Sequence, residues 1–310
     1  MAFSIDLFAR ALLILKIVNW NGFSKMNDSE ALSHLQAAEL KILDAIASLC
    51  AKFDINWWLD GGTCLGAMRH NGFIPWDDDI DIGMMRSDYE RFCELAPKEL
   101  QPGFSLHNSQ NTDCYAAMFS KVYMDGTRFE NQEGRDAGSA MGIFVDVFPY
   151  DYLYVDANLR SRQIKTASSA QRLSYLYHSG SISVPHKGML GEIEKAVCVL
   201  LHGIERMRCK DPRQYQDRFD NAIGDDNVGQ ISNECLTLAW PNMAPVPVDD
   251  ILPTCRAKFE GRSYPVPRCT ERYLTTMYGD WKSIPAPEDR HTHLPLLIDF
   301  SDGQIWESGN

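Results

Sequence analysis

Residues 59–85 read LDGGTCLGAMRHNGFIPWDDDIDIGMM, and Asp77-Asp78-Asp79-Ile80-Asp81 within them sets four carboxylates in five positions. Carboxylates this close repel one another, and inside a fold they stay ionised only where cations offset them. Asp79 and Asp81 alternate with Ile80 and Ile82. That is strand period, so both aspartates share one face and both isoleucines the other. Asp77 has the same parity, just upstream where the strand leaves a loop. Three oxygen donors on one side of a strand tip suit a hard divalent cation, Mg²⁺ first and Mn²⁺ second. Asp78 is expected to be solvated or to stand behind the ligands. An EF-hand calcium loop starting at Asp77 fails, because Ile82 stands where its tight turn needs glycine.

Upstream, Ile55-Asn56-Trp57-Trp58-Leu59 reads as a short buried strand, Asp60-Gly61-Gly62-Thr63 as a sharp turn, and Cys64 to His70 as a short helix. A glycine pair between strand and helix lets a ligand approach the backbone, and the N–H groups of a helix start suit a phosphate. His70 to Pro75 then turns the chain into the acidic strand. Gly61, Gly62 and Thr63 are therefore candidate substrate-binding residues. A further carboxylate, Asp146, interrupts the apolar run Gly142-Ile143-Phe144-Val145-Asp146-Val147-Phe148-Pro149. A carboxylate in such a strand is rare unless paired or bound to a metal. Asp146 thus joins Asp77, Asp79 and Asp81 as a metal-ligand candidate, with satisfaction by backbone N–H groups as the plain alternative. Asp151 reads as a loop residue.

Arg69 and Lys121 supply positive charge for a phosphate. A salt bridge to a nearby aspartate is the equal alternative for Arg69, and His70 reads as a helix-end residue. Trp57, Trp58 and Trp76 read as core or rim before they read as base-stacking surfaces.

The chain has 310 residues, is 45% hydrophobic and 11% aromatic, and carries a formal net charge of −12. It can build an ample core. Its acidity argues against nucleic acid and against anionic lipid as bulk partners. Nine cysteines without a CxxC pair point to reduced thiols in a cytoplasm. Leu7 to Val18 is apolar but too short to span a bilayer, and Arg10 and Lys16 interrupt it. Residues 1–28 thus read as a leader or peripheral helix, with no transmembrane anchor. Residues 29–52 are an amphipathic helix with Leu32, Leu35, Leu40, Leu43, Ile46 and Leu49 on its apolar side. Residues 114–130 read as strand–turn–strand around Asp125-Gly126, and helices follow at 157–177, 191–208 and 270–278, the last ending at Gly279. The spacing predicts a catalytic half, 29–155, and a mainly helical half, 156–310, that closes over it.

The run LDGGTCLGAMRHNGFIPWDDDIDIGMMRSDYERF resembles the signature of the LicD family, which includes fukutin and fukutin-related protein. GIFVDVFPYD is similar to the family's second block. FEGRSYPVPRCTERYLTTMYGDW, with His291 and His293 beyond it, is similar to the C-terminal block. Together these matches span about residues 35–295. The resemblance implies an α+β fold with a polymerase-β-type, nucleotidyltransferase-like mixed sheet and flanking helices. In that superfamily a glycine turn precedes a strand with two alternating carboxylates, and a third lies on a neighbouring strand; here these are Gly61 and Gly62, Asp79 and Asp81, and Asp146. Lys121 falls near a basic position of the family, and one of His291 and His293 near a family histidine. A structural zinc, carried by some relatives, is not expected, because no Cys/His cluster here matches theirs.

The implied activity is Mg²⁺-dependent transfer of a phospho-alcohol, phosphocholine-like or polyol phosphate. The implied donor is CDP-linked, and the acceptor is a cell-surface glycan or a lipid-linked precursor. Asp79, Asp81 and Asp146 would be catalytic. Two rivals stand beside this reading: nucleotidyl transfer from an NTP to a sugar or small alcohol, and a metal-dependent glycan- or nucleotide-binding protein without turnover. The expected location is the cytoplasm, with peripheral attachment at the inner membrane face as a second option.

Overall fold

The structure is a computed structural model that describes residues 26–181, 188–223, 230–240, 243–290 and 294–309. Nearly all of the expected N-terminal leader, together with His291 and His293, lies outside the described residues. Helix α1 (Asp28–Phe53) starts at a capping box, in which the Asn27 side chain accepts from the Glu30 N–H and the Glu30 carboxylate accepts from the Asn27 N–H. This box satisfies two of the backbone donors a helix start leaves open. The helix buries Leu35, Ile42, Leu43, Ile46 and Leu49 against the sheet. It ends at Asp54 in the left-handed region, at φ 52°.

The central sheet has seven strands among the described residues, running β1-β2-β6-β4-β3 with β7 and β8 added through β6. Strand β1 (Trp58–Leu59) is short, and helix α2 (Gly61–His70) follows it at once. Strand β2 (Asp81–Met85) pairs with β1 antiparallel and with β6 (Phe144–Tyr154) parallel, in a register that sets Asp81 beside Asp146. On the other side of β6, antiparallel β4 (Ser120–Met124) sets Lys121 beside Asp146, and β3 (Phe104–His107) follows β4. The mixed sheet with helices packed around it is the expected α+β architecture. Gly83 is required where Trp58 crosses β2, since a Cβ there would lie 2.4 Å from the indole ring.

Three local expectations shift. The ladder of β2 begins at Asp81, two residues later than the alternation suggests. Asp77 instead closes a turn, its N–H donating to the Ile74 carbonyl at 2.9 Å, and β1 offers β2 only two partners. The alternation survives in burial: Ile80 and Ile82 are buried and Asp79 and Asp81 half-buried. Around Asp125-Gly126, β4 and β5 (Arg128–Glu130) do not form a hairpin. Strand β4 stays in the central sheet, whereas β5 pairs with β11 (Leu297–Asp299), which also holds β12 (Ile305–Glu307). Asp151 is a strand residue of β6, 1% exposed, and not part of a loop.

After α3 (Arg86–Glu99) and the short α4 (Gln132–Ala137), the second half opens with three helices, α5 (Ala157–His178), α6 (Gly188–Arg208) and α7 (Arg213–Asp220). It then returns to the sheet. Strand β7 (Ile231–Leu236) pairs with the far end of β6, and β8 (Val246–Pro247) pairs with β7. Helix α8 (Val248–Ile251), hairpin β9–β10 (Cys255–Phe259 and Arg262–Val266) and α9 (Thr270–Tyr278) complete the path back to the glycine turn. No helix among the described residues is long and apolar enough to cross a membrane.

Candidate active site

Three elements bring the carboxylates together. The turn before β2 carries Asp77, Asp78 and Asp79, β2 opens with Asp81, and β6 supplies Asp146. The sheet fixes Asp146 twice over, because its N–H donates to the Ile80 carbonyl at 2.9 Å and its neighbours in register are Asp81 and Lys121. The Lys121 ammonium lies 2.5 Å from the Asp146 carboxylate, with both side chains 12% exposed. Lys121 also sits 3.5 Å from the centroid of the Phe144 ring.

Helix α2 meets this cluster with its glycine end. Cβ atoms built on the two glycines would lie 3.4 Å from an Asp81 oxygen at Gly61 and 3.2 Å from an Asp77 oxygen at Gly62. Gly61 has φ 48°, a conformation other residues adopt only with strain. The pair therefore keeps the space beside the aspartates open. Thr63, expected to face substrate, uses its hydroxyl to accept the Asp81 N–H at 2.8 Å. It thereby locks the helix start to the acidic strand. Arg69 donates to the carbonyls of Trp281 and Ser283 at 3.0 and 3.1 Å. It pins the segment after α9 beside the cluster, and the salt bridge to an aspartate is not its main contact.

A clamp from the far end of the chain holds the turn from behind. Asp60 is 2% exposed, and the Tyr150 hydroxyl lies 3.0 Å from both its carboxylate oxygens. The Tyr273 hydroxyl of α9 donates to Asp60 and accepts the Gly61 N–H at 3.3 Å. Tyr278, at the end of the same helix, brings its hydroxyl to the open side of Gly61, opposite Asp81. Its phenol is pushed up by loss of water and then by Asp81, Asp60 and Asp77. Tyr273 and Tyr278 lie in the C-terminal block and on the expected helix 270–278, and nothing in their spacing gave either a role.

Among the described residues the site carries more negative than positive charge. Burial and then Asp79 and Asp78 push the Asp77 carboxyl up to about 8, with Arg69 opposing. Burial, Asp79 and Asp146 push Asp81 well above the usual carboxylate range. Asp146 is raised by burial, and Lys121 opposes the rise. Asp78, expected to be solvated or to stand behind the ligands, is buried at 7% exposure, which fits the second of these. Glu39 of α1, which sequence reasoning passed over, is 1% exposed and also belongs to the surroundings of the cluster: burial raises its carboxyl, followed by Asp79, Asp78, Asp77 and Asp146. Several buried oxygens of one sign are what a hard divalent cation offsets, although no group of three or more His, Cys, Asp or Glu among the described residues is already gathered to hold one. The residues that would hold it are Asp77, Asp79, Asp81 and Asp146.

A cavity of about 210 Å³ opens on the other side of Asp146. Tyr115, Phe119, Tyr123, Phe144, Tyr175 and Trp240 wall it, with Glu133 at its edge. Asp146 and Lys121 thus stand between the carboxylate cluster and an aromatic box.

The structure thus brings a glycine turn, an acidic strand and a third carboxylate on the neighbouring strand together in one place. Residues 54–178 match the family described as LicD/FKTN/FKRP, nucleotidyltransferase domain, and that stretch holds Gly61, Gly62, Asp77, Asp79, Asp81, Lys121 and Asp146. The chain is 27% identical over 262 residues to the lipopolysaccharide cholinephosphotransferase LicD of Haemophilus influenzae, covering 82% of this chain and 92% of that relative. It is also 50% identical over 72 residues to the human ribitol 5-phosphate transferase FKRP, covering 22% of this chain and 14% of that protein. With the human ribitol-5-phosphate transferase FKTN it shares 34% over 70 residues, 23% of this chain and 15% of the relative. The chain is therefore similar to the LicD family over residues 54–178, and to one bacterial member over most of its length.

Proposed function

We propose that this chain is a phosphotransferase that moves phosphocholine, or a phospho-alcohol with a similar cationic head, from a CDP-linked donor to a glycan or glycan precursor. Phosphotransfer is supported by relatives named as cholinephosphate and ribitol-phosphate transferases. The cationic head is carried by one observation, the aromatic box that shares Asp146 with the carboxylate cluster. Aromatic faces attract cations, and quaternary ammonium groups are their common guests. This box already receives one cation, since Lys121 stands over Phe144.

In this reading the donor diphosphate lies over the start of α2, where Gly61 and Gly62 allow close approach. Its head group enters the box beyond Asp146. Mg²⁺ or Mn²⁺, held by Asp77, Asp79, Asp81 and Asp146, supplies charge neutralisation for the diphosphate. The acceptor hydroxyl oxygen attacks the phosphorus that bears the alcohol. A new P–O bond forms, the P–O bond to CMP breaks, and the hydroxyl proton passes to Asp146. The Tyr278 hydroxyl faces the same space and can donate to a phosphate oxygen.

The test is to incubate the protein with CDP-choline, CDP-ribitol, CTP and Mg²⁺ plus a glycan acceptor, following CMP and pyrophosphate. CMP release fastest from CDP-choline is the expected result. Pyrophosphate from CTP would make the chain a nucleotidyltransferase. Binding of CDP-choline without turnover on any acceptor would make it a binding protein.

A further inference from the structure

Helix α1 buries a face made of Ala31, Leu35, Ala38, Ile42, Leu43, Ile46 and Leu49, and Glu39 lies inside that face. Helical spacing from Leu35 and to Leu43 calls for an apolar residue at this position. Glu39 is 1% exposed, and its Oε2 has no hydrogen-bond partner. One turn earlier on the same face, Gln36 donates to the Asp77 carbonyl at 2.8 Å, so this stretch of α1 is fastened to the acidic turn. The charges acting on Glu39 are those of Asp79, Asp78, Asp77 and Asp146, all of its own sign. A buried carboxylate with an unpartnered oxygen, raised by burial and then by like charges, has no structural purpose that a leucine would not serve better.

We infer that Glu39 is a further oxygen donor of the cation site, reaching the metal or its bound water from α1 while the aspartates reach it from the sheet. The inference rests on the cation site of the proposed function. It gives α1 a task beyond packing and extends the site outside residues 54–178, the stretch the family match covers. With the cation present, Glu39 gains the partner its Oε2 lacks. Glu39 acts on the cation and not on the reacting atoms, so it is a positioning residue.

The experiment is titration calorimetry of the full chain with Mn²⁺ alone, together with thermal melts in chelator and in excess Mn²⁺. The proteins are wild type, Glu39→Gln, Glu39→Leu and Asp81→Asn. The expected result is a Mn²⁺ affinity about 10–100-fold weaker in both Glu39 variants, the usual cost of losing a supporting group at a metal site. In chelator both variants should melt at or above the wild-type temperature, because each removes a repelling charge. Wild-type affinity in Glu39→Gln and Glu39→Leu would overturn the inference while leaving the cation site intact. So would a lowered melting temperature in chelator with unchanged affinity, which makes Glu39 structural. If wild type and Asp81→Asn alike show neither binding heat nor Mn²⁺ stabilisation, the cation site itself falls, and Glu39 with it.

Discussion

Strand β6 carries two buried aspartates five residues apart, and they live differently. Asp151 is gripped by Arg86, whose Nε and second guanidinium nitrogen lie 2.7 and 2.8 Å from its two carboxylate oxygens. The charge is matched and both oxygens are used. Asp146 has Lys121 on one oxygen but stands in a crowd of carboxylates, next in register to Asp81. Burial alone does not separate them, at 1% and 8% exposure. Balance does. Asp151 closes its own account inside the fold, whereas among the described residues the surroundings of Asp146 carry more negative than positive charge.

Alanine at the two positions should therefore give opposite profiles. The largest effect is expected at Asp146. Asp146→Ala should slow CMP release by about 10²–10⁴-fold, the worth of a positioned base. Its melting temperature should fall less than that of Asp151→Ala, because the loss of the Lys121 partner is offset by relief of repulsion with Asp81, and CDP-choline affinity should stay within a modest factor. A large fall in melting temperature with near-normal activity in the folded fraction would make Asp146 the structural one. Asp79→Asn and Asp81→Asn should follow the same pattern, with turnover abolished and the fold intact or slightly stabilised by the loss of one repelling charge. Chelator should then lower the wild-type melting temperature more than theirs.

Asp151→Ala should lose stability rather than chemistry. It strands Arg86, whose side chain is 18% exposed, and breaking a buried pair from one side costs about 3–5 kcal/mol. Urea denaturation measures this, and turnover per folded molecule should be unchanged. A stable but inactive Asp151→Ala would erase the contrast.

Tyr273→Phe is intermediate. It removes the hydroxyl that donates to Asp60 and accepts from Gly61, and an unmatched buried donor or acceptor costs about 1–3 kcal/mol. The smallest effect tests what surrounds Asp146 and not its charge. Phe144→Leu keeps much of the volume but removes a ring face, worth about 0.5–2 kcal/mol to a cation. KM for CDP-choline should rise about 2- to 30-fold, with no such change for a donor whose alcohol is neutral. An equal change for both would indicate lost packing.

Features that depend on near neighbours were legible in the chain. The glycine turn, the alternation of Asp79 and Asp81 with isoleucines, and the single carboxylate in the apolar run of β6 each declare themselves within a few residues. So does the apolar side of α1, although Glu39 within it went unread, because one acidic residue in a helical stripe looks like a surface position until the helix is docked. What was hidden comes from pairings over long separations. Arg86 meets Asp151 across 65 positions, and Arg69 reaches the Trp281 carbonyl across 212. The strand alternation was right about faces and wrong about the ladder, since hydrogen bonding depends on the two residues β1 can offer. Asp78 illustrates the same limit, for only the turn's path decides that it is buried.

The tyrosine clamp on Asp60 has a consequence for the order in which the molecule comes into being. Every aspartate assigned to the cation lies within the first 146 residues, yet Tyr273, which holds Asp60 and the Gly61 N–H, is 213 and 212 positions further along. During synthesis the acidic turn emerges long before α9 can reach it. Closing so long a loop makes this contact slow to form compared with local ones. A chain halted before Thr270 would carry the whole set of aspartates without the latch on its glycine turn. Donor binding thus becomes a report on whether translation and folding have run to the C-terminal block, and not merely on whether the acidic motif has been made.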